Sequence, residues 1–400
     1  MKEHNIILML GVGTAGTRAA YYIHQRNGCT RPNWRIMGLD SDREALSQLP
    51  LMNTRPLPAA PALPTGHNAD EARLAADRIL DDCCSADLIV LLACLGGYTA
   101  SFYSQAILDY IDALERSQTE MHGLMIMRHG KICAEGWWQP FAPHLRHGLQ
   151  SHTKTYAATA VGIACTEGIL HLDERLIDIF PEESPANPSE NLQQLTVRDV
   201  LCMGCGMDTM PAPSMNWIRD FLHTPVNHKP GTAFMYNSVG SSILGAIVCK
   251  KSGESLHEYL TKRLFDKIGI NARNIRWYCM PDGTEMGGGG MFATTEDNLR
   301  LMKLYADGGC WDGERILSEE YVRLATSMQN DSSTESRNNP EASDNFLGYG
   351  FQIWMCKPKG VYRADGAMGQ FTIVSPEQDL IIAINETAVG AHWAQSTLDI

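Results

Sequence analysis

Over the first hundred residues, short apolar runs alternate with segments of helical spacing. Ile6–Leu10 is a run of five apolar residues that predicts a strand. Thr14–Gln25 follows with Ala19, Ala20 and Ile23 at helical spacing, and Trp34–Leu39 predicts a second strand. Ala69–Asp82 predicts a helix carrying Leu74, Ile79 and Leu80, and Asp87–Ala93 predicts a buried strand. Strand and helix in alternation argue for a small parallel sheet. The prolines at 50, 56, 58, 61 and 64 punctuate the middle of this region as loop.

The pattern changes near residue 102. Ser104–Glu115 has helical spacing, and two strands are then predicted at Gly123–Arg128 and Lys131–Trp137, joined by a turn at His129-Gly130. A long helical stretch is expected from about 151 to 270. Four short strands close the chain, at Gly350–Met355, Val361–Ala364, Phe371–Val374 and Leu380–Ile384. Strands at both ends of a helical middle predict an α+β fold with its sheet assembled from the two ends. The expected organisation is therefore a small α/β, Rossmann-like segment over 1–102 and a larger α+β domain over 103–400. His392–Ile400 reads as the start of a helix at which the sequence stops, and with the incomplete first part this suggests a fusion, a crop or a misjoined gene.

Composition narrows the function classes. The 400 residues carry a net charge of −13, which opposes general nucleic-acid binding. Residues 1–102 hold 9 Lys/Arg and 10 Asp/Glu, so 33 − 9 = 24 against 46 − 10 = 36 remain, and the acidity belongs to the second part. No apolar run reaches the roughly 18 residues of a membrane span, and five apolar residues are too few for a secretory leader. The expectation is a cytoplasmic protein with no membrane partner and no cofactor, its twelve cysteines reduced. Cys83-Cys84 and the Cys202/Cys205 pair lack a second pair at zinc spacing, so no metal is expected.

Candidate chemistry appears in both parts. Gly11-Val-Gly13-Thr-Ala-Gly16 follows a strand and opens a helix, where glycines let the backbone approach a phosphate. Asp40 or Asp42, at the end of the second strand, would suit a dinucleotide ribose. This glycine loop, with Leu39–Asp42, Gly66-His67-Asn68 and Ala93–Thr99, resembles the nucleotide half of the FtsZ/tubulin family. The resemblance is a fragment. Tyr98, Ala100 and Phe102 stand where that family has glycine, and it stops before the family's ribose and base contacts. The expectation for Gly11, Gly13 and Gly16 is therefore an anion-sized site and no nucleotide.

In the second part, Ser151-His152-Thr153-Lys154 places a hydroxyl and an amine three residues apart, on one helical face. A buried lysine loses solvation of its charged form and can take the serine proton. Phe234-Met-Tyr236-Asn237-Ser238 supplies a phenol, and Asp365-Gly366-Ala367-Met368-Gly369 supplies a glycine-flanked strand end that can turn a backbone N–H to an oxyanion. In that order, these motifs resemble the serine β-lactamase/penicillin-binding-protein superfamily, in its class C-like branch of esterases, amidases and 6-aminohexanoate-dimer hydrolases. Ala134–Trp138, Ala160–Ala164, Val197–Leu201 and Gly287–Met291 extend the resemblance over about 104–400.

The resemblance implies a β-lactamase-like antiparallel sheet with a helical subdomain. It implies Ser151 as acylated nucleophile, Lys154 as base, Tyr236 as proton shuttle, and the N–H groups of Ser151 and Ala367 as oxyanion hole. Asn237, Ser238, Asp365 and Gly366 are the expected substrate contacts. Asp365-Gly366 stands where lactamases carry Lys-Thr-Gly, and an aspartate there is expected to repel a β-lactam carboxylate. Trp137, Trp138 and Trp354 are candidates for a cleft wall. The leading expectation is a serine hydrolase of a small amide, ester or peptide. The alternatives are an FtsZ/tubulin-like nucleotide module with a silent hydrolase-like domain, or a silent fold used for binding.

Overall fold

In the computed structural model the chain divides into two compact units, Met1–Arg116 and Ser117–Ile400. The structure describes residues 119–212, 214–334 and 344–387, and before them four strands with a few residues between. The first unit carries β1 (Ile7–Val12), β2 (Trp34–Asp40), β3 (Asn53–Pro56) and β4 (Leu88–Ala93). They form one parallel sheet in the order β3-β2-β1-β4. The expected helices at 69–82 and 104–115 lie outside the described residues.

Two readings of this unit need correction. The proline-rich loop contains a strand, β3, paired with β2. Its Pro56 is tolerated because β3 is an edge strand, where one face of the backbone needs no ladder partner. Gly11 belongs to β1, opposite Gly38 and Leu92, because the strand runs two residues further than its apolar run. It is therefore part of the strand that leads into the glycine loop. Gly13 and Gly16 lie outside the described residues.

The second unit is built on a six-stranded antiparallel sheet. Its strands include β5 (Glu120–Arg128) and β6 (Lys131–Trp137). A small sheet carries β7 (His147–Gly148), β8 (Arg276–Trp277) and β9 (Met291–Ala293), and β10 (Cys310–Trp311) pairs with β11 (Glu314–Arg315). The large sheet is completed by β12 (Trp354–Met355), β13 (Tyr362–Gly366), β14 (Gln370–Ser375) and β15 (Leu380–Thr387). Its order is β12-β13-β14-β15-β5-β6. Ile382 faces Ile126 across the β15/β5 pair, so the sheet joins both ends of this unit as the strand pattern predicts. Gly350–Ile353 does not join it, because Gln352 has φ 58° and Gly350 abuts the Ala325 carbonyl.

The expected helical stretch from 151 to 270 resolves into α1 (Thr153–Thr166), α2 (Ser238–Ser252) and shorter turns between and after them. A third long helix is α3 (Thr295–Ala306). Thr153–Ala164 are buried without a break, so α1 is enclosed on all sides. Small residues make this possible: a side chain at Gly162 would strike the Tyr321 ring at 2.5 Å. α2 packs on α1, and α3 covers β14, β15 and β5. Thr294 and Asp297 close a capping box at the start of α3, an arrangement of about 1 kcal/mol. The consequence for function is a fixed central helix whose N-terminus is held beside strand β13.

Candidate active site

Ser151 lies in a single 3-10 turn, Gln150–His152, that runs directly into α1. The turn is fixed by neighbours on several sides. Leu149 donates its N–H to the Met291 carbonyl at 2.9 Å. Thr153 Oγ1 accepts the Met291 N–H at 3.2 Å. His152, fully buried, shares a 3.0 Å hydrogen bond with Thr372 Oγ1 on β14. Burial holds the His152 imidazole down to about 4, so it is neutral at pH 7. Gln150 has φ 50°, a left-handed conformation that strains a non-glycine residue immediately before the serine.

The three expected chemical groups meet. Lys154 Nζ donates to Ser151 Oγ at 2.8 Å and to the Gly288 carbonyl at 2.6 Å. Tyr236 stands beside this pair: Lys154 Nζ is 4.8 Å from its ring centroid, and the Ser151 hydroxyl is near enough to act on its phenol. Ser151 is half-buried, whereas Lys154 is buried. Desolvation pushes Lys154 down to about 7, with the Asp365 carboxylate opposing the shift. Burial raises the Tyr236 phenol well above its ordinary value, against the hydrogen bond from Ser151. At neutral pH the site thus holds an amine able to accept a proton and a phenol able to donate one.

Gly366 ends β13 against this turn. A Cβ there would lie 2.1 Å from the Leu149 carbonyl and 3.1 Å from the His152 nitrogen, so only glycine lets the strand approach. Ala367 follows as the next residue, at the start of the turn that leads to β14. Gly366 is therefore a packing residue for the serine turn.

Asp365 departs from its expected role. Its Oδ2 accepts from Arg363 Nε at 2.9 Å, two residues back on the same strand face. Arg363 is fully buried and also donates to Asn345 Oδ1 at 2.7 Å and to the Met355 carbonyl at 3.3 Å. The aspartate charge is matched by this guanidinium, so the repulsion expected from an isolated carboxylate is offset. Asn237 is also corrected. It is buried, and its Oδ1 accepts the Gly240 N–H at 2.8 Å as the N-cap of α2. Ser238 opens α2, with its own N–H 3.2 Å from Met210 Sδ.

Trp354 stacks on Tyr236, with ring centroids 5.7 Å apart and planes 16° apart. Trp137 and Trp138 do not join it: β6 lies at the opposite edge of the sheet from β12 and β13. Sequence reasoning missed Gly288 and Arg363 as members of the site. The run Gly287–Gly290 carried the signal for the first, since four consecutive glycines mark a close backbone approach. A Cβ on Gly288 would lie 2.0 Å from the Ser238 carbonyl. Gly288→Ala is expected to cost about 1–3 kcal/mol of stability as an overpacked site, read by denaturant unfolding. Activity should fall beyond the loss of folded protein, because the carbonyl that holds Lys154 must move.

Cys202 and Cys205 are buried free thiols, and burial raises both, Cys202 to about 12. They are packing residues. Among the described residues no cluster of His, Cys, Asp and Glu could hold a metal ion, and no helix is long and apolar enough to cross a membrane.

Comparison with known proteins converges on one family. The profile described as Beta-lactamase matches residues 111–393. The chain is 25% identical to the 6-aminohexanoate-dimer hydrolase of Paenarthrobacter ureafaciens over 303 residues, covering 68% of this chain and 74% of that one. It is 23% identical over 246 residues to a protein of Escherichia coli (strain K12) named "Putative D-alanyl-D-alanine carboxypeptidase". That match covers 47% of this chain and 57% of the relative, so the chain spans little more than half of that protein's length. In fold it is similar to the octameric penicillin-binding protein homologue of Pyrococcus abyssi, with a TM-score of 0.57 and 19% identity. That likeness covers 74% of this chain and 76% of the other.

Proposed function

The chain belongs to the beta-lactamase family, and from that premise we propose that it is a serine hydrolase working through an acyl-enzyme on Ser151. The observation that carries the proposal is the 2.8 Å hydrogen bond between Lys154 Nζ and Ser151 Oγ on a fixed turn, with the Tyr236 ring 4.8 Å from the same amine. Ser151 Oγ attacks the carbonyl carbon of an ester or amide, and its proton passes to the neutral Lys154 amine. The carbonyl π electrons move to oxygen, where the N–H groups of Ser151 and Ala367 are the proposed donors. As the intermediate collapses, the bond to the leaving group breaks. The Tyr236 hydroxyl gives that group a proton and is reprotonated from Lys154. Water then attacks the acyl-enzyme by the same route and frees the acid and Ser151.

The substrate is proposed to be a small amide, ester or peptide, with Ser238 and the β13 edge beside it. The names of the two sequence relatives, an amide-dimer hydrolase and a carboxypeptidase, support amide or peptide chemistry. We also propose a cytoplasmic location without a nucleic-acid or membrane partner, in keeping with the acidic charge. The FtsZ/tubulin-like alternative finds no support: the family match starts at residue 111, and the two relatives described above are a carboxypeptidase and a hydrolase by name. Stopped-flow hydrolysis of p-nitrophenyl esters tests the reading. A burst of p-nitrophenol equal to the enzyme concentration is expected, with the acyl group found on the Ser151 peptide by mass spectrometry. Acylation of another residue would refute it.

A further inference from the structure

Resting on the serine-hydrolase reading, the charges and apolar side chains around Ser151 specify the kind of acyl group. The charges nearest the reacting pair cancel. Arg363 and Asp365 form a buried ion pair, with side-chain exposures of 0% and 9%. Arg363 is further held by Asn345 and the Met355 carbonyl, so its guanidinium is committed away from a ligand. Lys154 is held by Ser151 and Gly288. The described cations here are thus already matched or engaged. A carboxylate or ammonium on the acyl chain would lose its hydration on entering this site and find these ions already engaged.

The surrounding surface is apolar. Met210 is 44% exposed, and its sulfur touches the N–H of Ser238, two residues past Tyr236. Met368 is 51% exposed and follows Ala367 directly. Tyr278 is 63% exposed, and its Cβ lies 2.9 Å from where a Cβ on Gly290 would stand, two residues past the carbonyl that holds Lys154. Large exposed apolar side chains on three segments that adjoin the site residues offer a surface that an apolar ligand could cover.

We propose that the enzyme selects an uncharged, apolar acyl group, and discriminates against substrates whose acyl chain carries a carboxylate or an ammonium. Recognition would come from Met210, Tyr278 and Met368, with the Arg363–Asp365 pair excluding charge by leaving none unmatched.

Three p-nitrophenyl esters of one chain length test this: the hexanoate, the 6-ammoniohexanoate and the mono-ester of adipic acid. Wild-type enzyme is expected to turn over the hexanoate with kcat/KM at least about tenfold above both charged esters, after correction for spontaneous hydrolysis. The hexanoate should also exceed the acetate by about tenfold. In Met210→Ala and Tyr278→Ala that hexanoate-to-acetate ratio should fall several-fold. Equal or faster turnover of the adipate or ammonium ester overturns the charge argument. A chain-length ratio that survives both variants overturns the apolar surface. Hydrolysis of no ester defeats the serine-hydrolase reading, and this inference with it. A charge preference on a working enzyme defeats this inference alone. Asp365→Asn supplies a second measurement: with Arg363 unmatched, the adipate ester should gain relative to the hexanoate by about tenfold.

Discussion

Ser151→Ala is expected to lower turnover at least about a thousandfold and to abolish labelling by a fluorophosphonate, with the fold intact. The loss follows from chemistry: the methyl group has no electron pair to offer the carbonyl carbon, and Lys154 and Tyr236 alone form no acyl-enzyme. The fold should survive because Ser151 is half-buried and its hydroxyl is bonded to Lys154, a single side-chain contact of the active site. Its removal costs about 1 kcal/mol, and Lys154 keeps the Gly288 carbonyl. The turn itself is held by the Leu149 N–H on the Met291 carbonyl, by Thr153 Oγ1 on the Met291 N–H and by His152 on Thr372, none of which uses the serine side chain. Labelling, circular dichroism and burst kinetics on one preparation separate the outcomes. A folded Ser151→Ala protein that still labels or shows a burst would place the nucleophile elsewhere.

Much of this site was legible because its chemistry is local in sequence. Ser-x-x-Lys needs only one helical turn to bring hydroxyl and amine together, and the order Ser151, Tyr236, Gly366 follows the chain. The strand pairs β5/β6 and β13/β14 were legible for the same reason, since each closes on a short turn. What escaped depends on distant or geometric partners. Arg363 is an ordinary arginine in the sequence, and only the strand face it shares with Asp365 turns an expected repulsion into a matched pair. Asn237 occupies a motif position but is consumed as the cap of α2, a role fixed by where the helix starts. Strand β3 was hidden by its prolines, because edge position, which excuses Pro56, is a property of the sheet. The long helical stretch was misjudged because buried helices lose the apolar-polar alternation that marks their ends, as α1 shows.

The base should reveal itself in pH dependence. Lys154 in the folded enzyme titrates near 7, against an ordinary lysine value of 10.5, because burial disfavours its charged form. Only the neutral amine can take the Ser151 proton. Under limiting substrate, kcat/KM is therefore expected to rise about tenfold per pH unit below 7 and to level above it. The same shift acts on stability with a definite sign. Between about 7 and 10.5 the unfolded chain holds a proton on Lys154 that the folded chain has lost, so stability from this group increases with pH across that window. Below 7 both states are protonated and the full cost of the buried charge is present. Lys154→Met removes both effects. The variant should lose at least about a hundredfold in kcat/KM, and its melting temperature should depend less on pH between 7 and 10 than that of the wild type. A buried base set near neutrality thus works against the fold that holds it, as expected where activity needs a strained site. Should Lys154→Met keep the wild-type rise in kcat/KM through pH 7, the titrating base is another group.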